Sequence, residues 1–219
     1  MVQAQGPPAL AEPTATLAQR LRDVTGYLVL SRAAMREAGA AAQTLGAFYR
    51  LAVKAQFIVF HRVVLIADIA GLPSRTVRHH IELLVGQGWL DNLGRQKTRS
   101  GWVRRTVSYR LSQKARRLKR PYAALPGWLG NFTTQSSVRF VYAILLSEHC
   151  RAGADGLTQR NIMSATGLSR MSVSRALNVL ERLSLIRMSH ESGHYDLILP
   201  AGTSIHASIT QACSPPVVS

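Results

Sequence analysis

NIMSATGLSRMSVSRALNVLERL, residues 161–183, holds two helical segments hinged on one glycine. Asn161 to Thr166 is expected to form a short helix. Gly167 stops it, because glycine tolerates the left-handed backbone that closes a helix C-terminus. Ser169 is placed to cap the next helix through its side-chain oxygen. That second helix should run to about Leu183, with Val173, Leu177 and Leu180 turned inward at helical spacing. Ser172, Ser174 and Arg175 then fall on other faces. Two short helices joined by a glycine turn are the sequence mark of a helix-turn-helix, whose second helix meets base edges and phosphates near its start.

The same pattern occurs earlier, in VVLIADIAGLPSRTVRHHIELLVGQGWL, residues 63–90. At an offset of 96 residues Gly71-Leu72 aligns with Gly167-Leu168, Thr76 with Ser172, Val77 with Val173 and Ile81 with Leu177. Leu83 meets Val179, Leu84 meets Leu180, Trp89 meets Leu185 and Leu90 meets Ile186. Few of these are identities, yet the apolar phase is kept, which a repeated supersecondary unit explains. Val63–Ala70 should be the leading helix, Gly71 the turn, and Pro73 or Ser74 the start of the next helix. Val77, Ile81 and Leu84 point inward, leaving Arg75, Thr76, Arg78 and His79 outside. His79 and His80 are adjacent and so face different ways on a helix; no third ligand lies at useful spacing, and no metal site is expected.

Each helix pair is followed by an expected two-stranded ribbon. In the first, Val103, Val107, Tyr109 and Leu111 alternate with Arg104, Thr106, Ser108 and Arg110. Arg105 breaks that alternation and marks a tip or bulge, and Trp102 is expected to pack beneath the ribbon, with contact to DNA sugar as the alternative. The arm Leu90–Gln96 leads into a basic, glycine-ended loop, Lys97–Gly101. The second ribbon is shorter: Ile186–Ser189, a turn at Glu191-Ser192-Gly193, then His194–Leu199. The expected fold class is mainly α with small β-hairpin wings: tandem winged helix-turn-helix domains, one over 46–120 and one over 136–200.

Residues 46–120 resemble the MarR family of winged-helix transcriptional regulators. The likeness lies in the leading helix and glycine turn, in TVRHHIELLVGQGWLDNL, and in the basic wing that runs into YRLSQKARRL. It covers about a third of the chain. It implies a winged helix that reads DNA. Two departures stand out: Gly94–Gly101 lacks the acid that the family's wing carries beside an arginine, and the family has one winged domain per chain. Tandem winged domains are similar in architecture to plasmid replication initiators.

Outside the two units, residues 1–13 carry three prolines and read as a flexible leader. Leu17, Leu21, Val24 and Leu28 recur at helical spacing, so 14–45 is expected to be an amphipathic helix, packed on its own domain or pairing subunits as a homodimer. PYAALPGWLGNFTTQ, residues 121–135, has the prolines and glycines of a linker. Residues 201–219 read as a loose tail.

Composition narrows the function. The chain has 219 residues, 27 Lys+Arg against 11 Asp+Glu, and a formal net charge of +16. With 47% hydrophobic residues it has material for a core. Its excess charge calls for an anionic partner. Two cysteines, Cys150 and Cys213, suit a reducing compartment rather than a disulfide framework. No signal peptide is expected, and the most apolar window, Phe57 to Ala70, is broken by His61, Arg62 and Asp68. A cytoplasmic protein without a membrane role is the expectation.

The positive charge is concentrated. From Asn92 to Ser147 there is no Asp or Glu, but there are 12 Lys+Arg, and solvation alone favours both signs interspersed. The expected partner is double-stranded DNA. The candidate contacts are Ser74, Arg75, Thr76, Arg78 and His79 on the first recognition helix, and Ser169, Arg170, Ser172, Ser174 and Arg175 on the second. Arg95, Lys97, Arg99, Arg104 and Arg105 on the wing complete the set. Wing cations supply affinity through phosphates; helix arginines supply base choice through bidentate bonds to guanine. A transcriptional regulator is the first reading, a plasmid or phage replication initiator the second, and a protein-interaction module the third. The second unit, with six Lys+Arg from Arg151 onward, also suits protein contacts. No enzyme and no cofactor are expected: Gly86-Gln87-Gly88 is followed by Asp91 where a dinucleotide turn needs a third glycine, and there is neither a nucleophile elbow nor a phosphate loop ending in Lys-Ser/Thr.

Overall fold

The computed structural model describes residues 27–52, 57–97, 100–103, 106–117, 122–152, 157–189 and 194–198. The chain is mainly helical, with small antiparallel sheets. In order come strand β1 (Tyr27–Ser31), helices α1 (Arg32–Ala38) and α2 (Ala41–Leu51), strand β2 (Ile58–Val59), helices α3 (Val63–Ala70) and α4 (Ser74–Gly86), strands β3 (Leu90–Gly94) and β4 (Ser108–Leu111), and the short helix α5 (Gln113–Arg116). Then follow β5 (Tyr122–Pro126), a 3-10 helix (Gly127–Asn131), α6 (Ser136–Ala152), α7 (Gln159–Thr166), α8 (Arg170–Arg182), and the strands β6 (Ile186–Met188) and β7 (Tyr195–Leu197).

Two expectations change here. The helix expected over 14–45 gives way at Tyr27 to a strand, in which Leu28 and Leu30 are buried and Tyr27 and Val29 half-buried. That period of two overrides the helical spacing that Leu28 shared with residues before it; residues 14–26, and with them the proposed pairing helix, lie outside the described residues. Gly39 and Ala40 then separate α1 from α2.

The stretch 121–135 is not a linker over its described part. Tyr122–Pro126 pairs antiparallel with β1 along its whole length, and Ala123, Ala124 and Leu125 are buried. The apolar core of YAALP outweighed its flanking prolines and glycines: Pro126 ends the strand, where it removes no needed donor, and Gly127 opens the 3-10 helix.

The β1–β5 pair relates the two halves of the chain. Val29 and Ala124, the middle residues of the two strands, face each other in register. Each strand is followed by the same series: a helix packed across it (α2 on β1, α6 on β5), then a short helix, a glycine turn, a longer helix and a hairpin. The first half adds α1 and β2 to this series, and the second adds the 3-10 helix. In the sequence the repeat is read from the leading helices onward, at Val63 and Asn161; the matching element series begins earlier, at β1 and β5.

One hydrophobic core runs through both halves. In the first, Phe48, Ile66, Val77, Leu84 and Trp89 are buried; in the second, Ile162, Val173, Leu177 and Leu180. Burying side chains of this size contributes roughly 1.5–3 kcal/mol each.

The first hairpin differs in detail from expectation. β4 is the central strand of a three-stranded sheet, between β2 and β3. Ser108, expected on the outer face, is buried, while Val103, expected inside, is exposed. Opposite Ser108 the β3 strand shifts register between Asn92 and Gly94, and Val103 lies outside β4, in an isolated bridge with Lys97. Tyr109 meets Phe48 edge-on, with ring centroids 5.8 Å apart. The second hairpin pairs Ile186 with Leu197 and Met188 with Tyr195, as expected.

Candidate nucleic-acid interface

Both glycine turns form. Gly71 closes α3 at φ +61° and Gly167 closes α7 at φ +74°, the left-handed region that glycine enters freely. α4 starts at Ser74 behind Pro73, without a side-chain cap. α8 starts behind Ser169, whose hydroxyl accepts from the Ser172 backbone N–H at 3.2 Å. Ser169, expected at the DNA, therefore also has a structural task, and its hydroxyl lies 3.0 Å from that of Ser172.

On α4, Val77, His80, Ile81 and Leu84 are buried. Arg75, Arg78 and His79 are exposed, and Ser74 and Thr76 are half-buried. Arg75, Arg78 and His79 stand three and four residues apart, so they share one outward stripe, which Glu82 continues. On α8 the residues in the same repeat positions are Met171, Ser174, Arg175 and Asn178, all exposed. Arg170 is exposed beside them and Ser172 is half-buried.

Two members of that second stripe were missed in the sequence. Met171 is 62% exposed, and Asn178 lies one turn beyond Ser174. The repeat offset would have found both, since it maps them onto Arg75 and Glu82. Methionine offers an apolar contact of the kind a thymine methyl takes, and asparagine can bond adenine through two atoms.

His80 departs from the outward placement of its neighbour. It is 5% exposed, and its Nδ1 lies 2.9 Å from Thr44 Oγ1 on α2. Burial, and then the nearby His79, hold its imidazole below the ordinary histidine value. Among the described residues no group of three His, Cys, Asp or Glu is placed to hold a metal.

The basic run divides into cations with different tasks. Arg139 is buried on α6 and is not a surface cation. Arg110 pairs with Asp91 across the β3–β4 ribbon at 3.1 Å. Lys114 pairs with Glu37 at 2.9 Å and lies 4.1 Å from the Trp89 ring centroid. Arg116 lies over the Phe57 ring. The one-sign block is thus partly neutralised by acids outside it, which the sequence count alone did not reveal. Arg95, Lys97 and Arg117 remain exposed; Arg99, Arg104 and Arg105 lie outside the described residues.

The hairpin tip is held by a bridge between Lys97 and Val103, with Gly101 at φ +83°. Trp102, expected to pack beneath the ribbon, is instead 77% exposed, and Val103 is 55% exposed. Among the described residues no helix is long and apolar enough to cross a membrane.

No protein-family model and no curated protein matches the chain. Among solved structures the chain is similar to the DIP2311 protein from Corynebacterium diphtheriae, at 15% identity and a TM-score of 0.24. That match covers 73% of this chain and spans 26% of the other protein's length.

Proposed function

We propose that this chain is a sequence-specific double-stranded DNA-binding protein made of two winged helix-turn-helix units, and that it regulates transcription. One observation carries the reading: a short helix, a left-handed glycine turn, a longer helix and a hairpin occur twice, each time with an exposed arginine on the longer helix's outward stripe. Arg78 and Arg175 choose bases; Arg95 and Lys97, with the wing cations, grip phosphates. The MarR resemblance of residues 46–120 supports the first unit.

The test is binding to a pool of genomic duplex fragments over a salt series, followed by mapping of the retained sites. The reading expects a steep fall of affinity with salt. About six phosphate contacts correspond to a slope of log K against log salt of roughly −5. Weak binding that ignores moderate salt would instead favour the protein-interaction module.

A replication initiator is the second reading. It is favoured by the tandem arrangement, which is similar in architecture to plasmid initiators; here β1 and β5 join the two units into one core. Retained sites in promoters support regulation; an array of repeated origin sites supports initiation.

A further inference from the structure

We infer that the tip of the first hairpin is an apolar wedge: Trp102, backed by Val103, stacks against the bases of duplex DNA and partly opens one base step. The inference rests on the DNA-binding reading and adds to it the part that reaches the stacked bases.

Trp102 leaves most of a large aromatic ring open to water, at 77% exposure. The neighbouring Val103 is 55% exposed, so a second apolar side chain stands open beside it in sequence. At the tip Lys97 pairs with Val103, and Gly101 takes a φ of +83°. Its surroundings select the partner. No Asp or Glu occurs from Asn92 to Ser147, while Arg95 and Lys97 stand exposed on the arm that carries the tip. A protein partner or a second copy of this chain would have to offer an apolar pocket ringed by acids; a duplex offers phosphates on both sides of a stack of flat apolar faces. An indole among cations fits the duplex, since side chains that wedge between base steps use this combination.

The test uses the full-length chain, a duplex of about 30 base pairs of mixed sequence at low salt, and the variants Trp102→Ala and Trp102→Phe. Trp102 is exposed, so both should melt as the wild type does. Trp102→Ala should bind roughly tenfold or more weakly, with Trp102→Phe in between, because stacking is lost. The salt slope should not change, because no charge is lost. Wild-type tryptophan fluorescence should be quenched on saturation, and most of the quenching should vanish in Trp102→Phe, since of the two tryptophans that remain Trp89 is buried and Trp128 is half-buried against Phe132 and Tyr142. A duplex carrying 2-aminopurine should brighten as a step opens. Equal affinity of wild type and Trp102→Ala on a duplex that both bind with a steep salt slope would overturn the wedge and leave the DNA-binding reading standing. Failure of the wild type to bind duplex at low salt would overturn both.

Discussion

The guanidinium of Arg139, on α6 of the second half, donates through Nη1 to the carbonyl oxygen of Ala70, the last residue of α3 in the first half, at 3.1 Å. The same oxygen accepts from Gln43 Nε2 at 3.0 Å, so the end of the leading helix is held from both halves. Arg139 also donates through Nε to Thr133 O at 2.8 Å, and its head packs against Gly71 and Gly130. It is 1% exposed and has no carboxylate partner among the described residues. Desolvation accordingly lowers its affinity for a proton.

Arg139→Ala removes one buried and one part-buried hydrogen bond and leaves a void against the glycine turn. It should destabilise the protein by about 2–4 kcal/mol, seen as a lower urea midpoint. Arg139→Met keeps the stem's volume without burying a charge, and should lose less than Arg139→Ala. Both variants should keep the wild-type salt slope for DNA. A lowered slope would mean that Arg139 reaches phosphate after all.

His80 should make stability depend on pH. Its folded pKa is held below the ordinary value, first by burial and then by His79, whereas the unfolded chain takes up the proton near about 6.5. Between the two values the unfolded state binds more protons, so stability rises with pH there. Acidification below about 6.5 therefore costs stability, until His80 protonates within the fold. Urea unfolding at about pH 7.5 and about pH 5.5 should give a smaller difference for His80→Asn, whose amide can still bond Thr44. An unchanged difference would place the pH dependence elsewhere.

What the sequence disclosed and what it hid follow from locality. Gly71, Gly167, the cap at Ser169 and the inward rows Val77–Ile81–Leu84 and Val173–Leu177–Leu180 depend on neighbours within two turns, and all are found as expected. β1 and β5 depend on each other across most of the chain; alone, one resembles the end of a helix and the other a linker. Ser108 is buried on the central strand of a three-stranded sheet, whose third strand β2 comes from before α3. At the candidate interface, the exposed Arg75, Arg78, Arg170 and Arg175 follow from helical phase. The ion pairs that withdraw Arg110 and Lys114, and the exposure of Trp102, depend on tertiary contacts that phase does not encode.

Gly167 is a second point where the halves touch. A Cβ there would come within 2.8 Å of Arg36 Cγ and 3.1 Å of Arg36 Cα on α1, at a φ of +74°. Gly167→Ala combines backbone strain with a clash against Arg36 Cγ and a tight approach to its Cα, so a loss of about 1–3 kcal/mol is expected. Gly88→Ala is the control: its φ is +72°, but nothing lies within 4 Å. It should pay only the strain, and the gap between the two melting temperatures measures the contact between halves.

Base choice and phosphate grip should separate by variant. Arg78 stands on the α4 stripe and Lys97 on the wing, both exposed. On a duplex enriched for tight binding, Arg78→Ala should cost about 1–3 kcal/mol and relax preference at one or two positions. Lys97→Ala should weaken all sequences alike and reduce the salt slope by about one. Arg175→Ala and Asn178→Ala put the same question to α8. If both relax preference at positions away from those of Arg78, the two halves read one composite site. If neither changes preference while Arg78→Ala does, α4 alone selects the sequence, and the exposed face of α8 is left for contacts with protein.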